Sequence, residues 1–287
     1  MKYTPRLPEK NDNVSDASPL RELTVLLGGL AAIVIGVYVL LGLAVDFVAP
    51  RVSPKLEAAL AETLLRRFGN PDETADAGTR ALRRLADRVS EGCVALPYRP
   101  RVHLKDSELV NAVALPGGHI VVFSGLIDRL ESENELAFVL LHEMGHFANR
   151  DHLRGLGRAL VLAAISAAIL GPDNPVSDLL FGGLRLTELH FSREQEEAAD
   201  EYAVRMLHCA YGHVAGADGF FREMMAEEGT SDRMTAYLRT HPLSGKRATH
   251  LLDYAKGMEF ATEGRQAPLP EALRGNRRAA ERSASEE

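Results

Sequence analysis

His142-Glu143-Met144-Gly145-His146 spells HExxH. On a helix, residues four apart share a face, so His142 and His146 point the same way and can grip one metal ion through two imidazoles. Glu143 sits beside them and can take a proton from a water that the metal activates. This is the spacing of a zinc-dependent peptide hydrolase, with the histidines as ligands and the glutamate as general base. Such a centre needs a third protein donor. In Ser192-Arg193-Glu194-Gln195-Glu196-Glu197-Ala198-Ala199-Asp200, Glu196 and Asp200 are four apart. Glu196 can supply the third donor, and Asp200 can hold the far nitrogen of a ligand histidine. The plainer reading of this stretch is a solvated acidic helix face. His152 is a rival donor, because HExxHxxNxxH is one residue from the glycine-containing metzincin pattern. Asn149 stands in place of that glycine, and Asn tolerates left-handed backbone. On spacing alone both donors remain open.

Elements must bring these groups together. Ser132 with Glu135 three residues on forms a capping box, and Leu136, Val139 and Leu140 continue at helical spacing, so the HExxH lies on a helix. Ser192 caps a second helix expected to run to about Leu207. Ala199 and Ala203 on its flank permit close packing. Tyr98–Leu104 alternates like a strand. Asn111–Leu115 and His119–Phe123 flank Pro116-Gly117-Gly118 and predict a hairpin leading into the active helix. Upstream, Pro54–Phe68 and Ala75–Ser90 read as amphipathic helices separated by Gly69-Asn70-Pro71. Downstream, the apolar stretch Arg158–Leu170 is too short to cross a bilayer and is expected to be buried or to lie on the membrane surface. A second short apolar helix is expected at 176–189.

Leu23–Val45 carries no charge. As a helix it is about 34 Å long, against a bilayer core of about 30 Å, which predicts a single membrane span. Lys2, Arg6, Lys10 and Arg21 precede it, and Arg51 and Lys55 follow it. The positive-inside rule then favours a cytoplasmic N-terminus, with the rest of the chain outside. A net charge of -7 over 287 residues argues against a nucleic-acid partner. Cys93 and Cys209 are the two cysteines. They make no metal-site spacing; two unrelated buried thiols are the first expectation, and one disulfide is the alternative if the domain sits in an oxidising compartment. The polar residues 1–22 and the segment 258–287 read as disordered tails.

Four blocks resemble the HtpX- and BepA-like membrane zinc peptidases, which include the CAAX prenyl proteases and mitochondrial Oma-type peptidases. They are Asn111-Ala112-Val113-Ala114-Leu115-Pro116-Gly117-Gly118, then His142–His146, then Ser192-Arg193 with Glu196, Ala199 and Asp200, and last Thr240-His241-Pro242 with Arg247. The resemblance covers residues from about 97 to 255. It implies an α+β, mostly helical, gluzincin-like zincin domain with a small sheet, spanning 50–257 behind a membrane helix at 23–49. It implies one Zn2+ per subunit on His142, His146 and Glu196, with Glu143 as base, and it demotes His152. It further implies that Asn111, Ala112, Val113 and Ala114 form the edge strand that receives the substrate peptide. His241 and Arg247 are implied to face the metal, where a donor can stabilise an oxyanion.

These expectations describe a metalloendopeptidase anchored in a bacterial-type inner membrane by one span, with its catalytic domain on the extracytoplasmic side. Its substrates are expected to be misfolded or unassembled membrane and envelope proteins. HtpX-type relatives carry further spans and some periplasmic ones carry helical repeats. Neither is read in this sequence, so the particular substrate does not transfer. A catalytically silent, membrane-tethered client-binding module is the alternative of a different class.

Overall fold

Because HExxH needs a rigid helix, the fold is best followed outward from that helix. In the computed structural model the described residues are 18–65, 76–171, 191–226, 241 and 245–274. The helices are α1 (Pro19–Val48), α2 (Pro54–Leu65), α3 (Ala77–Ser90), α4 (Ser124–Ile127), α5 (Glu133–Ala148), α6 (Asp151–Leu170), α7 (Arg193–Tyr211), α8 (Ala217–Ala226) and α9 (Gly245–Gly257). Strands β1 (Arg101–Lys105), β2 (Ala112–Leu115) and β3 (His119–Phe123) form one sheet in the order β1-β3-β2. The described chain is mostly helical with this one small sheet.

Helix α5 is the centre. Every residue from Glu133 to Phe147 is buried, since α7, α3, α6, α8 and β2 all pack against it. Its apolar side chains, among them Leu136, Phe138, Leu140 and Phe147, join the main core with Leu82 and Leu85 of α3 and Val204 and Leu207 of α7. The Ser132 hydroxyl accepts from the Glu135 N–H at 3.2 Å. The other half of the expected box is displaced by one residue, because the Glu135 carboxylate accepts from the Glu131 N–H at 2.7 Å.

The closest helix pair is α5 with α7, and small residues permit it. A Cβ on Gly145 would lie 2.9 Å from the Ala199 Cα, so the two backbones meet where the metal motif sits. Ser192 and Gln195 make a reciprocal capping box at the start of α7. The predicted hairpin is present: β2 and β3 pair antiparallel, Ala112 opposite Val122. Gly117 between them has φ 76, in the left-handed region that glycine adopts at no steric cost. β1 adds in parallel on the other side of β3, which leaves β2 at the edge of the sheet and against α5.

Four sequence expectations need correction or trimming. Cys93 and Cys209 form a disulfide, with Cα atoms 5.9 Å apart across a separation of 116 residues; the fold brings the end of α3 to α7, a meeting that spacing cannot reveal. The apolar stretch at 158–170 is only the second part of a longer helix that begins at Asp151. Residues 258–274, expected within a disordered tail, lie on the domain. The Glu133 N–H donates to the Ala267 carbonyl at 2.8 Å and the Ala267 N–H to Asn134 Oδ1 at 2.8 Å, while Leu269 and Leu273 are buried. The first of these bonds satisfies the Glu133 N–H, a donor at the start of α5 that has no partner within the helix. Lastly, α1 begins at Pro19, four residues before the uncharged run. The short helix expected at 176–189 lies outside the described residues.

Candidate metal centre

The i, i+4 pair on α5 places His142 Nε2 3.2 Å from His146 Nε2. From α7, one carboxylate oxygen of Glu196 lies 3.6 Å from His142 Nε2 and the other 3.4 Å from His146 Nε2. His241 Nδ1 completes the group at 3.3 Å from His142 Nε2 and 2.9 Å from Glu196 Oε1. All four residues are buried and their donor atoms lie within 4.8 Å of one another. A tetrahedral zinc with donors about 2.0–2.2 Å away sets those donors roughly 3.3–3.6 Å apart. Three imidazoles and a carboxylate are a zinc donor set, and the separations of 3.2–3.6 Å among His142, His146 and Glu196 are close to those of tetrahedral coordination.

The far sides of the ligands are held. His142 Nδ1 lies 2.9 Å from Asp200 Oδ1, the task expected of Asp200. His146 Nδ1 donates to Asp151 Oδ2 at 3.0 Å, and Gln195 donates to the other oxygen of Asp151 at 2.7 Å. Carboxylates placed so fix a histidine's tautomer and raise its basicity as a ligand. Arg247 on α9 makes a two-pronged contact with Asp200, Nε to Oδ2 at 2.8 Å and Nη2 to Oδ1 at 2.9 Å, and its Nη1 lies 2.6 Å from Glu196 Oε2. The guanidinium thus grips the two α7 carboxylates and is itself buried.

Electrostatics follow from this crowding. Burial alone would raise the Glu196 carboxyl, but His241, His146 and His142 outweigh it and hold Glu196 well below the usual carboxylate range. Burial pulls the His146 imidazolium down, while Asp151 and Glu196 push it up further, to about 10. His142 goes the other way, because burial outweighs Asp200 and Glu196. A metal and a proton therefore compete for His146 Nε2, and metal affinity rises with pH through the neutral range.

Glu143 is fully buried, and neither of its carboxylate oxygens has a hydrogen-bond partner among the described residues. Its nearest neighbour of note is His241 Nε2, 3.5 Å from Oε1. A buried carboxylate with spare acceptor capacity beside a metal-binding group is suited to receive a proton. His152 stands outside the donor group. Its ring faces the Glu57 carboxylate at 3.3 Å and the His146 carbonyl at 3.4 Å. Asn111 is buried just before β2 and accepts from the Ala112 N–H at 2.8 Å, while Ala112, Val113 and Ala114 line the sheet edge beside α5. Sequence reasoning missed Asp151, Gln195 and Phe191, whose ring stacks on His146 at 3.9 Å between centroids. Only an acid just past the end of the metal helix could have signalled Asp151.

The comparisons agree with this geometry. Residues 77–255 match the model of peptidase family M48. The mitochondrial metalloendopeptidase OMA1 of Arabidopsis thaliana is 35% identical over 158 residues, 53% of this chain and 31% of that protein. The metalloprotease LoiP of Escherichia coli is 32% identical over 180 residues, covering 61% and 69% of the two chains. A putative beta-barrel assembly-enhancing protease of Vibrio cholerae is 26% identical over 158 residues, 51% and 33%. The matched region thus spans about a third of two of these relatives and two thirds of the third. A family match over more than half of the chain, and a relative covered over two thirds of its length at this identity, make this protein a member of peptidase family M48.

Proposed function

We propose that the protein is a membrane-anchored zinc metalloendopeptidase in which His142, His146 and Glu196 hold the metal and Glu143 is the general base. The observation that carries this reading is the meeting of four buried donor residues, His142, His146 and Glu196 at close to tetrahedral separations, beside the buried Glu143 carboxylate, which has no hydrogen-bond partner among the described residues. Zinc held there supplies Lewis acidity, polarising a scissile carbonyl and making water acidic enough to lose its proton near neutral pH. Glu143 takes that proton and returns it to the leaving amine. Asp151 and Asp200 keep the two imidazoles oriented, and Arg247 holds Glu196 and Asp200 in place. β2 at the sheet edge offers main-chain groups to an extended peptide, a mode that tolerates varied sequences.

Misfolded or unassembled membrane and envelope proteins are the proposed substrates. Support comes from the apolar α1 and from relatives named as a metalloendopeptidase and a beta-barrel assembly-enhancing protease. Purified full-length protein is expected to contain about one zinc per chain and to cleave an unfolded protein. Glu143→Gln should keep the zinc and lose turnover by about 10²–10⁴-fold, while Glu196→Ala should lose zinc and turnover together. Zinc bound with no cleavage by the wild-type protein would instead favour a silent client-binding module. Zinc retained in Glu196→Ala but lost in His152→Ala would move the third ligand to His152.

A further inference from the structure

The second half of α6 has no role in the site, yet it presents a large apolar surface. Among the described residues, the large exposed hydrophobic side chains lie on α1 and α6, apart from Leu56 and Met258. On α6 they are Leu160, Leu162, Ile169 and Leu170, exposed by 45%, 42%, 56% and 60%. No charged residue occurs between Arg158 and Gly171. A soluble protein rarely leaves such a continuous apolar surface in water.

The packing gives the surface a direction. His152, at the start of α6, contacts Glu57 of α2. Farther along α6, Gly157 is so close to Val45 of α1 that a Cβ would meet its methyl at 2.6 Å. Arg158 reaches both oxygens of Asp46, at 3.0 and 2.9 Å. Rising numbers on α6 thus meet falling numbers on the N-terminal segment, and α6 runs back along α1, away from the metal centre. Arg154 and Arg158 both lie within 4 Å of Asp46, so the charges are gathered at one level. Beyond that level α6 is uncharged to Leu170 and α1 is uncharged back to Leu23. A cleft of about 320 Å³ between α1, α2 and α6 straddles that level, lined by Leu41, Val45, Leu56, Leu156, Leu160 and other apolar residues only.

We infer that Ala159–Leu170 of α6 is seated in the acyl-chain region of the bilayer beside α1, as a second membrane-embedded helix whose entry level is marked by Asp46, Arg154 and Arg158. The inference rests on α1 being a membrane span. At 1.5 Å per residue this part of α6 is about 18 Å long, against a half-thickness of about 15 Å for the hydrocarbon core. The helix therefore reaches the middle of the bilayer. Since Asp151 at its other end holds His146, this end of the metal centre lies about 5–10 Å along the helix from the entry level, and cleavage falls on chain segments emerging next to the membrane.

The chain has no tryptophan, so one introduced tryptophan reports alone. Leu162→Trp and Ile169→Trp sit at exposed positions, with Leu30→Trp on α1 and Met258→Trp on the domain as references. Each full-length variant, checked for wild-type metal content, is reconstituted into phosphatidylcholine–phosphatidylglycerol vesicles with lipids brominated at shallow or deep chain positions. Both α6 tryptophans should emit to the blue of Met258→Trp, and Ile169→Trp should be quenched as strongly as Leu30→Trp by deep bromines. Quenching of Leu30→Trp alone would overturn the placement of α6 and leave α1 as a span. Quenching of both α6 positions by shallow bromines only would put the helix on the surface and overturn the inference too. A Leu30→Trp that is itself unquenched would show that α1 is not embedded, and the inference would fall with it.

Discussion

His241 is the residue on which the resting activity of the site turns. Its Nδ1 occupies the fourth corner of the donor group, 2.9 Å from Glu196 Oε1 and 3.3 Å from His142 Nε2. A catalytic zinc would keep that corner for water or substrate, so we propose that an imidazole there lowers the resting activity. The competing role is donation to the oxyanion, and the two differ in sign. His241→Ala is expected to raise steady-state cleavage of an unfolded protein with zinc content unchanged. A fall of about 100-fold or more would make His241 an oxyanion donor, and no change would sink both roles. At this scale much of the site was legible. His142, His146, Glu196 and Asp200 announce themselves because each pair is four apart on one helix. The direction of Arg247 was not legible. The resemblance implied a side chain facing the metal from the substrate side, whereas its guanidinium grips Asp200 and Glu196 from behind, a geometry fixed by how α9 docks on α7. The sequence favoured the oxyanion role for His241; the position of its Nδ1 in the donor group, 2.9 Å from Glu196 Oε1, was not legible there.

The corner between α5 and α6 links the metal helix to α2 and to the apolar α6. Arg150 adopts φ 60 there, a left-handed conformation that costs a non-glycine residue roughly 1–2 kcal/mol. The fully buried Glu57 carboxylate of α2 holds the corner: it pairs with Arg150, faces His152 at 3.3 Å and accepts from the Gly117 N–H at 3.4 Å. The turn so fixed delivers Asp151 to His146 and to Gln195 of α7. Removing a carboxylate behind a ligand histidine commonly costs 10–100-fold in metal affinity. Asp151→Asn should therefore weaken zinc binding by about that factor in chelator competition, and Glu57→Gln should shift it in the same direction by less. Wild-type affinity in Asp151→Asn would show that the corner has no hold on the metal. Helices and strands with a strong period were readable in advance: α3, α5, α7 and the β2–β3 hairpin fall within a few residues of their expected limits. The corner was not, because Glu57, Gly117 and Arg150 are distant in sequence and share no local pattern. The order of residues 258–274 was hidden for a similar reason, since a polar segment looks disordered until the α5 donor that it caps is in view.

For the whole molecule, the disulfide and the anchor bear on the same question. Cys93 and Cys209 close a loop of 116 residues, which in the chain-entropy account removes roughly 4–5 kcal/mol of freedom from the unfolded chain. Disulfides of this kind persist in oxidising compartments and are rare in the cytosol. The excess of Lys and Arg before α1 gave only a weak bias toward a cytoplasmic N-terminus; the disulfide points the same way from independent chemistry. The catalytic domain should then lie outside the cytoplasm. Protease added to intact spheroplasts is expected to digest the chain beyond about residue 50, the exit level of α1. In the same cells Cys93 and Cys209 should resist a thiol-reactive polyethylene glycol reagent until a reductant is added. A domain protected from protease, with both thiols labelled without reductant, would reverse the orientation and place the metal centre in the cytoplasm. Digestion with labelled thiols would keep the orientation and remove the disulfide from the resting enzyme. Its absence would then be expected to lower the thermal midpoint relative to oxidised protein, because α3 and α7 would be held together by packing alone.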